Sequence, residues 1–474
     1  MIKILIWSFL LFVSLTGRCQ QELNVLNIKD FLEIILSNHP VVRQAQLREE
    51  EGTSELLRAK GNFDPKISSS YEFKTFKETE YYDKRNTIIK VPTKTPFTPK
   101  ITLQRNNGSN LNPENIIPEK NNYRQLSPGI SMPILQGFII DERRSDLRQA
   151  KAFLSISKAE RDNLLNEILK NALSTYWEWY LAYEKYKLLL QSTQIAKGLF
   201  DRAVADYRYG ELAVVDTIQA KITLETQLSE LEMVIFEWEN AGLQLSNYLW
   251  GASVEPLLLA PEVIPDSLAN SFDLPDSNQF DRLIQDLKSR HPKLRKLSGK
   301  INQTEILNKW QQEQLKPQLD LSYSFIDAPL SSDGSSNPLK FNDNYKLGMD
   351  FYFPIFLRKE RGKLQKTKIK LEGYQLDYDL SQLELSNKLK SKYAEALTAR
   401  NLESRYKIIA DGYKRLYEAE LLNLDVGESN LFKFNIQINK YLESKIKYLD
   451  YKMKFQKNKI ELLYEAGILF ERIN

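Results

Sequence analysis

Gln318-Leu-Asp-Leu-Ser-Tyr-Ser-Phe325 alternates strictly. Leu319, Leu321, Tyr323 and Phe325 fall on one face of an extended chain, and Gln318, Asp320, Ser322 and Ser324 on the other. Asn344 to Phe353 repeats the pattern, with Tyr345, Leu347, Met349, Phe351 and Phe353 set against Asn344, Lys346, Gly348, Asp350 and Tyr352. Two weaker versions come earlier: Ile67, Tyr71 and Phe73, then Leu126, Ile130 and Met132 against Gln125, Ser127, Gly129 and Ser131. A soluble β-sandwich would show the same alternation. Two features favour strands with lipid on the apolar face. Aromatics gather at strand ends, Tyr345 at one and Phe351 and Phe353 at the other, as in an interfacial girdle. Four strands are also too few to pair as a sandwich beside so much helix. The smallest transmembrane barrels have about eight strands, and open edges are not tolerated in lipid. The expectation is a barrel shared between chains.

The chain is written twice. His39-Pro40 recurs 252 positions on as His291-Pro292, and the same offset carries Pro65 onto Pro317, Ser70-Tyr71 onto Ser322-Tyr323 and Phe73 onto Phe325. Pro133-Ile134 returns as Pro354-Ile355 at an offset of 221, and Arg144, Tyr176 and Gly210 return as Arg361, Tyr393 and Gly427 at 217. The larger change of offset falls between Phe73 and Pro133, which predicts a longer loop in the first copy. In each copy a helix (about 41–60 and 294–314) is stopped by a proline, and two strands and very long helical segments follow. Leu147 to Tyr209 contains no proline and only Gly198 among glycines, with Leu165, Leu169, Leu173 and Trp177 at helical spacing. Some sixty helical residues extend roughly 90 Å and need partners along their length. Leu364 to about Asn423 repeats this.

Met1-Ile-Lys3 followed by the apolar run Ile4–Leu15 is too short to span a bilayer and reads as a secretory signal. Cleavage after Cys19 is one processing route. The other makes Cys19 a lipidated first residue, which Arg18 fits poorly. Cys19 is the single cysteine, so no internal disulfide is available. Charged residues make up 27% of the 474 and the net charge is +4, which gives no basic patch pointing to nucleic acid. The expected division is a signal at 1–19, an N-terminal helical segment at 20–64, a first strand pair with its long extracellular loop at 65–133 and a first helical hairpin at 134–251. A Pro-rich connector at 252–290, a second-copy helix at 291–316, a second strand pair at 317–354, a second hairpin at 355–467 and a tail at 468–474 complete it.

Tyr207-Arg-Tyr-Gly-Glu-Leu-Ala-Val-Val-Asp216-Thr-Ile-Gln-Ala-Lys221 resembles the hairpin turn of TolC-family outer-membrane efflux proteins: a helix, a glycine, a short turn, an aspartate six residues later and a returning helix. Gly210, Asp216, Gln219 and Ala220 fit. The second copy keeps Gly427 but has Lys433 in place of the aspartate. The resemblance implies a homotrimer with a shared 12-stranded β-barrel, continued by an antiparallel α-helical barrel with an irregular equatorial region. It also implies a bacterial outer-membrane location reaching into the periplasm. The function implied is passive conduction of small molecules or proteins in a tripartite efflux or type I secretion system, with a periplasmic membrane-fusion adaptor and an inner-membrane pump of RND or ABC type. Gly210, Glu211, Leu212, Ala213 and Asp216, with Gly427, Glu428, Ser429, Asn430 and Lys433, would then form the periplasmic tip, gate and adaptor-docking surface. Lys433 and Ile436 stand where the family often carries acidic rings. Read locally, Gly210 is a helix C-cap and Asp216 a cap of the next helix.

His39 and His291 are the only histidines, and no carboxylate or thiol lies at ligand spacing with them. A role at a helix start is preferred to a metal site. Trp177, Trp179 and Tyr180 read as helix packing, and Lys359–Lys370 as a solvated helix start. No Gly-rich phosphate loop, catalytic triad or carboxylate pair is present, so neither an enzyme nor a cofactor is expected. A periplasmic coiled-coil scaffold or adaptor without a channel is the competing reading. It leaves the strand faces unexplained.

Overall fold

The computed structural model describes residues 25–109, 111, 123–266, 272–326 and 344–473, so the signal segment and Cys19 lie outside the described residues. In chain order the elements are β1 (Val25–Leu26), α1 (Ile28–Asn38), α2 (Pro40–Lys60), a single 3-10 turn (Gly61–Phe63), β2 (Lys66–Phe76), β3 (Thr79–Lys90), β4 (Thr98–Asn107) and β5 (Tyr123–Pro133). There follow α3 (Glu142–Arg208), α4 (Val214–Ser246), β6 (Ile264–Pro265), α5 (Ser277–Arg290) and α6 (Pro292–Glu313). The chain ends with β7 (Gln318–Phe325), β8 (Tyr345–Tyr352), α7 (Arg358–Asp425), α8 (Leu431–Glu465) and α9 (Leu469–Ile473). Residue contacts divide it into two compact units, one of residues 48–159 and 295–380, the other of residues 1–47, 160–294 and 381–474.

The first unit holds a six-stranded antiparallel sheet of order β2-β3-β4-β5-β7-β8. Four strands per chain were expected, and the structure corrects this to six. The segment read as a long loop contains β3 and β4, which pair in unbroken register from Asp83↔Asn107 to Lys90↔Lys100. Charge hid them. Asp83, Arg85 and Arg105 fall at positions where an apolar residue would complete the alternation, and Ile88 and Ile89 are adjacent. The turn joining β2 to β3 is Lys77-Glu78, both with positive φ (50° and 61°). A two-residue hairpin turn of that conformation normally takes Asn-Gly or Asp-Gly, so its usual signature is missing.

The long helices form as their proline-free runs require: α3 has 67 residues and α7 has 68. Each copy also has a short helix ahead of its His-Pro. Asn27 caps α1 through the Asp30 N–H, and Asp276 with Gln279 makes a capping box on α5. Residues 277–290 of the Pro-rich connector are therefore helical, and within the C-terminal tail residues 469–473 form α9. β1 and β6 pair in parallel, Val25 with Ile264 and Leu26 with Pro265. The Tyr176 hydroxyl binds this pair, donating to the Leu26 carbonyl at 2.7 Å and accepting the Asp266 N–H at 3.3 Å. Tyr176, Trp177 and Trp179 are fully buried and meet edge to face, a packing role. Further along, Leu188, Leu189, Leu199 and Val234 pack with Phe434, Ile438 and Leu442, joining the α3–α4 and α7–α8 hairpins.

Candidate channel wall and helix turns

The register of the sheet carries the apolar positions across strand after strand. Ile67, Ile89 and Ile101 stand opposite one another, as do Ile130, Tyr323 and Leu347, and Met132, Leu321 and Met349. Tyr323 also stacks on Tyr345 and meets Phe325 edge to face. The insertion thus extends the apolar face through Ile89, Ile101 and Leu103. Phe353, expected on this face, falls one residue past the end of β8.

Burial on the two central strands, β4 and β5, is inverted relative to a soluble sheet. On β5 the polar-face residues Gln125 and Ser127 are 3% and 9% exposed, whereas Ile130 is 39% exposed. On β4, Asn106 is 5% exposed against 42% for Ile101 and 39% for Leu103. On these strands the polar side is covered and the apolar side is open. Water does not select such a sheet, because exposing apolar area costs about 25 cal/mol per Å². No described helix is long and apolar enough to cross a membrane.

The turns between the long helices are built alike. At Gly210 (φ 79°) the Gly210 N–H donates to the Tyr207 carbonyl and the Glu211 N–H to the Asp206 carbonyl, at 3.0 and 2.9 Å. At Gly427 (φ 80°) the Gly427 N–H donates to Leu424 and the Glu428 N–H to Asn423, at 3.2 and 2.8 Å. Both are Schellman motifs, which place a glycine in the left-handed region to satisfy the last carbonyls.

The returning helices start differently. α8 has Asn430 as its cap, accepting the Lys433 N–H at 3.0 Å, whereas α4 begins at Ala213 with no side-chain cap. Asp216 is therefore not the cap that a local reading suggested. It lies in the first turn, where an acid suits the helix dipole, and Lys433 holds the matching position with the opposite charge. Ser429 donates to Glu420 on the same hairpin. No ion pair of Glu211, Asp216, Glu428 or Lys433 occurs among the described residues. Leu212 and Ala213 complete the first turn. Behind the turns the Asn435 amide donates to Thr223 at 2.9 Å, tying α8 to α4.

Two polar contacts escaped the sequence because no local signal marks them. Ser192 donates to Gln227 at 2.7 Å between α3 and α4, and the Asn166 amide oxygen accepts the Phe470 N–H at 2.8 Å. The histidines sit just before α2 and α6. Nδ1 of His39 accepts the Val41 N–H and Nδ1 of His291 the Lys293 N–H, both at 3.1 Å. Burial pushes His291 down to about 4 and lowers His39 from its ordinary value. Lys459 is buried and pushed down to about 8, an effect that Asp273 and Glu403 oppose. No group of acidic, histidine or cysteine residues able to hold a metal occurs among the described residues.

Residues 31–251 match the outer membrane efflux protein family. This part of the chain, 221 of its 474 residues, carries that family's pattern. The matched segment is essentially the first copy and ends at the Pro-rich connector. No curated protein sequence matches the chain. The whole fold is similar to solved outer-membrane channels of the TolC type. With the Campylobacter jejuni CmeC outer membrane channel the TM-score is 0.63 at 14% identity, over 96% of this chain and 91% of that one. With the outer membrane protein VceC of Vibrio cholerae it is 0.62 at 12% identity, over 93% and 95%. With the open state of the Neisseria gonorrhoeae MtrE outer membrane channel it is 0.62 at 12%, over 93% and 88%. The shared fold extends through the second copy, where the family match stops.

Proposed function

We propose that this protein is a subunit of an outer-membrane channel that passively conducts molecules delivered by an inner-membrane pump. The observation that carries this reading is the inverted centre of the sheet, where β4 and β5 are open on their apolar side and covered on their polar side. Lipid outside and water inside is the arrangement that stabilises it. The sheet has two unpaired edges, β2 and β8. Six strands are still fewer than the smallest closed barrel, and free edges are costly in lipid, so β8 of one copy pairs with β2 of the next. Three six-stranded sheets would close a wall of about eighteen strands, a size that encloses an aqueous channel. The resemblance had implied twelve. The second unit also has faces for neighbouring copies: Val215, Ile218 and Ile222 on α4 and Phe432 on α8 are all more than half exposed.

On this reading the turns at 210–213 and 427–430, with Asp216 and Lys433, are the gate and the docking surface for a periplasmic adaptor, whose pump is of RND or ABC type. Drug efflux and type I protein secretion are both served by such a duct. A coiled-coil scaffold without a channel would have no use for the outward apolar face. The test is the mass of the mature protein in mild detergent together with its current in planar bilayers. A trimer that conducts is expected, and a stable monomer with full β-content and no current would refute the proposal.

A further inference from the structure

We propose that a row of four lysines across the polar face of the sheet is a binding site for soluble polyanions bearing phosphate or carboxylate groups. The proposal rests on the reading that this face lines the channel. Lys66 stands directly opposite Lys90, and Lys90 directly opposite Lys100. The same hydrogen-bonded row then passes through Gly129 and Ser324 to Lys346 on the far edge strand. Residues directly opposite in register share a face and lie within about 5.5 Å at Cβ, where like charges destabilise a sheet. Two such pairs in succession are an expense that folding alone does not explain.

Elsewhere on this face Lys84 stands opposite Glu72 and Lys74 opposite Tyr82, neither opposite another lysine. None of the four row lysines makes an ion pair among the described residues. The charges that bear on Lys100 are those of Lys90 and Lys346. Lysines on edge strands can protect against unwanted pairing, but on this reading β2 and β8 pair with neighbouring copies, so that reason does not account for Lys66 and Lys346. Lys90 and Lys100 lie on interior strands, where that reason does not apply.

The middle of the row is kept open. A Cβ at Gly129 would stand 3.1 Å from Cε of Lys100 and 2.6 Å from Oγ of Ser324. The glycine lets the Lys100 stem lie across β5, and Ser324 adds a hydroxyl donor beside it. Ammonium groups and a hydroxyl with no acceptor of their own suit several anionic oxygens spread along one molecule. The inserted β3–β4 hairpin supplies two of the four lysines, so the insertion that enlarges the sheet also changes the charge of its lining.

The experiment is calorimetric titration of the full-length trimer in detergent with inorganic triphosphate. Binding that weakens with added salt is expected, with affinity about tenfold lower in the Lys90→Gln/Lys100→Gln double variant and unchanged in Lys84→Gln. Lys346→Gln, a single change at the far end of the row on β8, gives an independent loss if the double variant does not assemble. No binding by the natural protein, equal affinity in the row variants, or an equal loss in Lys84→Gln would each overturn the site. Bilayer current separates this proposal from the one it rests on. A conducting trimer indifferent to triphosphate refutes only the lysine row, whereas a protein that passes no current refutes the channel.

Discussion

A Cβ on Gly467 would stand 2.9 Å from the Cα of His291 and 2.7 Å from Cδ of Pro292. The C-terminal turn therefore closes directly against the second His-Pro. Gly467 has φ 75° and ends α8 with the same pair of hydrogen bonds as the two hairpin turns, its own N–H to Tyr464 at 2.8 Å and the Ile468 N–H to Leu463 at 3.0 Å. The glycine meets a conformational and a steric demand together.

Gly467→Ala should consequently lose at least about 2 kcal/mol, since the left-handed backbone alone costs a non-glycine roughly 1–2 kcal/mol and the two nearest atoms, a proline ring atom bonded to the backbone nitrogen and a backbone Cα, cannot swing aside. Gly412→Ala is the control. It lies within α7 with nothing within 4 Å of its Cβ position, and it should gain up to about 1 kcal/mol. Thermal unfolding of both variants in detergent checks the pair. Equal effects would remove the argument from the turn.

Stability should fall as pH drops from 6.5 towards 4. Each histidine accepts a backbone N–H at Nδ1, which its protonated form cannot do. Burial lowers both pKa values, that of His291 to about 4. The unfolded chain therefore takes up protons first. The stability contribution is complete above the unfolded value of 6.5 and is lost as pH falls to the folded one. Melting temperatures of the natural protein and of His291→Asn, compared across this window, should show a shallower pH dependence in the variant. Parallel curves would mean that other groups govern the acid side.

Leu347→Arg should cost about 2–4 kcal/mol if position 347 lies near the bilayer midplane, whereas Lys346→Arg next to it should be tolerated. Leu347 is 59% exposed on the apolar face, opposite Tyr323, and Lys346 stands opposite Ser324 on the polar one. Urea-monitored folding into vesicles measures both. Equal tolerance would reverse the assignment of the faces.

Glu211→Lys and Lys433→Glu should alter single-channel conductance and adaptor crosslinking while leaving trimer assembly intact. These residues flank the turns at Gly210 and Gly427 and have no ion-pair partner within their own chain among the described residues, which leaves their charges for neighbouring copies. Exposed pairs are each worth at most about 1 kcal/mol, so adaptor binding can shift the balance between two packings. If conductance and crosslinking both ignored these reversals and responded instead to changes near the strands, the gate would belong there.

The sequence by itself determined whatever is periodic or punctuated. Alternation along Gln318–Phe325 and Tyr345–Tyr352 dictates two-faced strands, since successive side chains in a strand must point to opposite sides. The proline-free runs through α3 and α7 dictate helices of nearly equal length. Gly210 and Gly427, 217 positions apart, dictate matching turns because only glycine enters the left-handed region cheaply. Tertiary structure alone decided where periodicity is interrupted and which distant residues meet. Neither Lys77-Glu78 nor the charged run Asp83–Asn86 signals a hairpin. β3 and β4 exist because their backbone hydrogen bonds are completed by β2 and β5 on either side. Lys66, Lys90, Lys100 and Lys346 are scattered along the chain and form one row only through strand register. Asn166 finds Phe470 across 304 positions because a buried amide must be satisfied by whatever backbone the fold brings to it.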